Sequence, residues 1–410
     1  MIEYPGDVAR LGRTIQHPTI WIDGTPVSPA TTFSREDTKL VKGFAILLML
    51  YHHLFAFSDR IQDGNSYTPL LTFTSVNSAE LVGLFGKMCV ALFLFLGGYG
   101  TWMSYQAKRA RLAAGGNFDE VQTNRLLSDF TLAKVKGLYI PYLKVFAIVV
   151  PISLVLGDPR VQASLSALFW NITGLKITYN GEWWFFTDYL ILLLAFPLIT
   201  RFFDRRRGTF TVDLLAICVW NAAAMWLIPE LAHLDWAADF TGSILWSKLY
   251  QTMQWSACFL MGCLFARWDL LSRVKAKLAG HYLACLASLL CLAGLVCLCF
   301  KLGAGMRYDF LWAPIVCLCL ATLATTGLGA RLAKPLEAIG KHSTNIWLTH
   351  SFFCYHWCQG FIYLPKWSPL VFLLLLGVSY ALSLAIDWAW KWITEGIRQL
   401  DTKLYRKPVR

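Results

Sequence analysis

A lysine and two adjacent histidines are set into one apolar run, KGFAILLMLYHHLF at residues 42–55. An imidazole titrates near neutrality, so it can take a proton from a hydroxyl and pass it on. An ammonium group attracts phosphate or carboxylate. If the run is helical, the eleven residues from Lys42 to His53 turn it by about 1100°, three full turns plus roughly 20°, and rise roughly 16 Å. The two side chains then share a face, with His52 turned about 100° aside. A single membrane histidine can serve only as a packing hydrogen bond, and a boundary lysine can simply snorkel. Ionisable groups within a membrane nonetheless point first to function. The separation suits a long, thin ligand, anionic at one end and reactive at the other, which is the shape of a coenzyme A thioester.

The rest of the chain must hold that helix in a bilayer. Of 410 residues, 56% are hydrophobic and only 15% charged, with a mean hydropathy of +0.49; about 25% charged is usual in soluble domains. About twenty apolar residues cross a bilayer, and ten such segments are predicted: 40–57, 82–104, 138–156, 184–203, 211–228, 249–266, 282–300, 309–328, 344–363 and 369–391. The expected fold is an all-α polytopic membrane protein of about ten transmembrane helices. Ser34 with Asp37 three residues on predicts a capping box at the start of the first helix. Residues 1–33 read as a cytoplasmic tail, 34–392 as the membrane domain and 393–410 as a basic cytoplasmic tail.

Basic residues should gather in short cytoplasmic loops. Six, four, four and three of them follow the second, fourth, sixth and eighth spans, whereas the alternate loops hold seven in all. This bias predicts two cytoplasmic termini and a multi-pass protein of the cell membrane, plasma or bacterial inner. It also accounts for the net charge of +12: anionic lipid headgroups are the partner, and no basic domain interleaved with aromatics suggests nucleic acid. The twelve cysteines all lie in or beside apolar segments. Their spacing supports neither disulfides nor a metal site, and they read as small apolar side chains.

Several segments, in order, resemble one family. Lys42-x10-His53 resembles the basic-x10-His signature in the first membrane helix of the acyltransferase-3 family of integral membrane acyltransferases. ALFLFLGGYG (91–100) resembles that family's apolar run ending in Ser-Gly-Tyr, and KGLYIPYLKV (136–145) its basic–Tyr–x–Pro–Tyr segment. EWWFFTDYLILLLAFPLI (182–199) and LEAIGKHSTNIWLTHSFF (336–353) match two later segments, so the likeness covers about residues 38–392. Three positions depart from the pattern: Lys42 replaces the usual arginine, Gly97 stands in the serine position, and Gly137 where many members carry arginine. Lysine keeps the charge but loses the bidentate fork.

The resemblance implies transfer of an acyl group, often acetyl, from cytosolic acyl-CoA as co-substrate to a hydroxyl of an exported carbohydrate or glycolipid. His53 would then be the general base. Its second nitrogen needs an orienting partner, either Asp188 or, nearer the outer surface, Glu182; a packing hydrogen bond is an equal alternative for Asp188. Cations would hold the donor phosphates, with Lys42, Lys136 and Lys144 the candidates and Lys134 and Lys341 behind them. His350, within a motif match, either lines the donor channel or braces helices. No bound cofactor or metal is expected. A transporter is the main rival reading, but no inverted halves with matching interrupted helices are visible.

Overall fold

The computed structural model describes residues 21–22, 25–26, 32–72, 77–114, 119–205, 208–302 and 307–405. Most of the 1–33 tail therefore lies outside the described residues; within it, Trp21–Ile22 and Thr25–Pro26 pair as two short antiparallel strands. The chain is otherwise nearly all helical. In order come α1 (Arg35–Phe55), α2 (Ser78–Phe85), α3 (Met88–Ala113), α4 (Glu120–Val155), α5 (Leu165–Ile172), α6 (Trp184–Arg205), α7 (Phe210–Ala222) and α8 (Ala238–Thr241). There follow α9 (Ile244–Arg267), α10 (Leu270–Leu278), α11 (Tyr282–Leu302), α12 (Asp309–Leu323), α13 (Gly327–Lys341), α14 (Ser343–Ser351), α15 (Gln359–Tyr363) and α16 (Ser368–Tyr405).

Among the described residues, six helical stretches are long and apolar enough to cross a membrane, against the ten expected. The other four apolar segments are also helical, and three of them depart from a simple span for a local reason. α1 carries Lys42, His52 and His53, α12 has only 15 residues, and 344–363 is broken by a π turn at Phe352–Trp357. α1 is largely buried, as is much of α9. A helix wrapped in protein is free to carry polar groups that a lipid-facing one cannot. This is a membrane protein in which the helix carrying Lys42, His52 and His53 is largely wrapped by others.

Two helix pairs meet backbone to backbone. A Cβ added to Gly43 of α1 would overlap the Leu336 carbonyl of α13, and one on Gly340 of α13 would overlap the Lys39 carbonyl of α1. Gly98 of α3 and Gly262 of α9 make the same reciprocal approach, to the carbonyls of Phe259 and Phe95. Small residues are what allow such proximity where lipid supplies no hydrophobic drive.

Both ends of α1 are pinned. The expected capping box forms, with Asp37 N donating to Ser34 Oγ at 3.1 Å and Ser34 N to Asp37 Oδ2 at 2.7 Å. Asp37 Oδ2 also accepts from buried Lys275 Nζ of α10 at 2.6 Å, and Phe33 N donates to Ser272 Oγ at 3.2 Å. At the far end Tyr363 Oη donates to the Leu54 carbonyl at 2.6 Å. His52 Nδ1–H donates to the Gly83 carbonyl of α2 at 2.8 Å, so that ring joins two helices. α1 is thereby held in rotation as well as depth, which fixes where Lys42 and His53 point.

Candidate active site

Lys42 and His53 open onto one cavity of about 380 Å³. Its walls are mainly apolar, including Met49, Phe93, Leu96, Phe185 and Trp347. Lys134 of α4 joins Lys42 there, and His350 and Glu182 join His53. Neither lysine has a carboxylate within ion-pair distance among the described residues. Two cations without counterions in an apolar cavity are prepared for an anion that arrives from outside.

The hydrogen bonds around His53 fix its tautomer. Tyr355 Oη lies 2.6 Å from the His53 carbonyl and must donate its proton there, since a carbonyl only accepts. The same oxygen lies 3.1 Å from His53 Nδ1, so it accepts from Nδ1–H. Nε2 is left with its lone pair free, 3.6 Å from Glu182 Oε2. That gap, too long for a direct hydrogen bond, lies between two acceptors and suits a donor such as a hydroxyl. Arg60 Nη1 braces the group from outside, 3.4 Å from Glu182 Oε1 and 3.3 Å from Tyr355 Oη.

Local backbone choices place each member. The π turn at Phe352–Trp357 re-aims the chain after α14 and carries Tyr355; such turns recur at functional sites. Gln359 clamps the turn to the loop bearing Arg60: its Nε2 donates to the carbonyls of Arg60 at 2.9 Å and Cys354 at 2.8 Å, and its Oε1 accepts from Gln62 N at 2.7 Å. Glu182 sits in a short 3-10 turn capped by Asn180, whose side chain donates to Ser351 Oγ at 2.7 Å. Trp183 Nε1 donates to the Leu348 carbonyl at 2.9 Å, locking the start of α6 to α14. His350 Nδ1–H donates to the Trp347 carbonyl at 2.8 Å, while its buried Nε2 has no hydrogen-bond partner among the described residues. Its ring centroid lies 4.8 Å from that of His53.

Two clefts flank the cavity, each sharing a wall residue with it. One, of about 410 Å³, contains Lys144, Lys341, His342, Asp387 and Trp390 and shares Thr344. The other, of about 500 Å³, contains Asp59, Arg60, Gln62 and Arg160 and shares Glu182. A lysine-lined mouth thus adjoins the cavity at Thr344, and an arginine- and carboxylate-lined mouth adjoins it at Glu182.

The sequence-predicted residues divide accordingly. Lys42, His53 and His350 come together in the cavity, and Lys144 lies in the adjoining cleft, its Nζ 5.7 Å from the Trp390 ring centroid. Lys136 is exposed and lines neither hollow; Lys134, two residues earlier, takes the cavity position. Asp188 does not reach His53. Its Oδ1 accepts from Thr252 Oγ1 at 3.2 Å, Oδ2 has no hydrogen-bond partner among the described residues, and Glu182 is the carboxylate beside the imidazole. Arg60 and Tyr355 were not singled out from the sequence. At Gly97 an added Cβ would fall 2.6 Å from Tyr189 Cε2, so the tyrosine ring occupies the room that a serine there would need.

A polytopic helical bundle that brings an imidazole, a carboxylate and two lysines to one cavity has the make-up of a membrane enzyme. The acyltransferase domain of the acyltransferase-3 family matches residues 36–388, and the chain belongs to that family. It is a membrane acyltransferase. No curated protein and no solved structure matches the chain.

Proposed function

We propose that the protein is an O-acyltransferase that moves an acyl group, acetyl by the family resemblance, from cytosolic acyl-CoA to a hydroxyl of an exported or cell-surface carbohydrate. The observation that carries this reading is the shared cavity of Lys42 and His53. The bias of basic residues among the loops supports a cytosolic position for the lysine-lined mouth. Donor phosphates lie near Lys42 and Lys134, and the nucleotide end reaches toward Lys144 and Lys341. The pantetheine arm runs along the apolar walls and brings the thioester to His53.

His53 Nε2 takes the proton of the acceptor hydroxyl as its oxygen attacks the thioester carbonyl. The tetrahedral adduct collapses, the carbon–sulfur bond breaks, and the thiolate leaves as an ester forms. The proton on Nε2 passes to that thiolate, so His53 ends neutral and free coenzyme A departs as its thiol. Tyr355 holds Nδ1–H throughout, and the Glu182 carboxylate stabilises the transient imidazolium. Tyr355 thus takes the orienting role considered for Asp188 and Glu182, and the bond of Asp188 to Thr252 is a packing interaction between α6 and α9.

Purified protein supplied with acyl-labelled acyl-CoA tests the reading. Wild type should transfer label to a carbohydrate acceptor, and His53→Ala should lose roughly 10²–10⁴-fold in rate, the usual contribution of a general base, with membrane insertion unchanged. Substantial transfer by that variant would remove His53 from the base role.

A further inference from the structure

The two mouths of the passage treat charge in opposite ways, and the arginine-lined one is explained by neither the fold nor the donor. It is a cleft of about 500 Å³ whose polar lining is Asp59, Arg60, Gln62, Arg160, Glu182 and Tyr355, with His356 and Pro159 beside them. Arg60 is matched by Glu182 at 3.4 Å. Arg160 is matched by Asp158, through Nε to Oδ1 at 2.9 Å and Nη2 to Oδ2 at 2.5 Å. Asp59 is left over, with no ion pair among the described residues. Each guanidinium therefore has its own carboxylate, and with Asp59 three carboxylates stand around the cleft against two guanidinium groups.

We infer that this cleft is the acceptor site and that it selects a neutral, polyhydroxylated acceptor over an anionic one. The inference rests on the acyltransfer reading above and deepens it. The cleft meets the catalytic cavity at Glu182, 3.6 Å from His53 Nε2, so a molecule seated there presents a hydroxyl to the base. Its rim offers both donors (Arg60, Arg160, Gln62) and acceptors (Asp59, Glu182), which suits hydroxyl groups that give and take hydrogen bonds. An acceptor carrying carboxylate or phosphate would have to share Arg60 with Glu182 or Arg160 with Asp158, and would also approach Asp59. Discrimination by such like-charge approach is a common source of specificity. The clamp of Gln359 on the carbonyl of Arg60 and the amide of Gln62 sets the rim before any ligand arrives.

The test uses the full chain in lipid nanodiscs with acyl-labelled acetyl-CoA and two acceptor series of equal length, neutral gluco-oligosaccharides and uronic-acid oligosaccharides. Acetyl-CoA binding is measured in parallel by calorimetry. Transfer to the neutral series should exceed transfer to the uronic series by about tenfold or more, a modest like-charge penalty. Asp59→Lys, at an exposed position that folding does not need, should narrow that ratio. Equal or greater transfer to the uronic series overturns the inference, as does bound donor with transfer to neither series; both leave the donor half of the reading standing. Absence of acetyl-CoA binding overturns the acyltransfer reading itself, and this inference with it.

Discussion

Lys42 and Lys134 face the central cavity with no carboxylate at hand, whereas Arg60 and Arg160, at the opposite mouth, each hold one. The cations are similar in charge and differ in company. An unmatched ammonium in an apolar wall stays costly until an anion binds, so the site favours occupancy by one. A matched guanidinium has little left to offer an anion and instead fixes its neighbours, as Arg60 does with Glu182 and Tyr355. In this protein, pairing rather than net charge distinguishes a site suited to an anion from one suited to a neutral ligand.

The strongest way to break the comparison is to empty the unmatched end. The double substitution Lys42→Ala, Lys134→Ala should weaken acyl-CoA binding roughly hundredfold, as expected for losing two charged hydrogen-bonding groups, with calorimetric Kd as the readout. Wild-type affinity should also fall as salt rises. An unchanged Kd would deny those lysines any donor role. The matched end should respond in rate and leave donor affinity alone. Tyr355→Phe removes the acceptor for His53 Nδ1–H and should lower kcat about tenfold, on the scale of one hydrogen bond, with Kd for acyl-CoA unaltered. A change in Kd with kcat preserved would reverse the assignment of the two ends. Asp188→Asn keeps an acceptor for Thr252 and should change kcat by less than about twofold. A larger loss in a steady-state assay would return Asp188 to the mechanism.

Much of the site was legible in sequence wherever a single helix carries the information. The Ser34–Asp37 box, the common face of Lys42 and His53, and His350 all follow from one element's spacing. What was hidden depends on how elements meet. α4 begins at Glu120, well before the expected 138, so Lys134 and Lys136 sit on a helix where two residues of spacing turn the side chains to different faces. Only packing decides that Lys134 is the inward one. Asp188 and Glu182 differ by less than two turns along the start of α6, and the register of α6 against α1 is set by Trp183 and Asn180 holding α14. Tyr355 reaches His53 through a π turn, which leaves no mark in hydrophobic periodicity.

The measurement that most directly tests the central claim is a structure of the full chain with a non-transferable thioether analogue of acetyl-CoA. The phosphates should lie beside Lys42 and Lys134 and the acyl carbon within about 5 Å of His53 Nε2, leaving room for one attacking hydroxyl. An analogue bound outside the cavity, or with its acyl end remote from that imidazole, would contradict it.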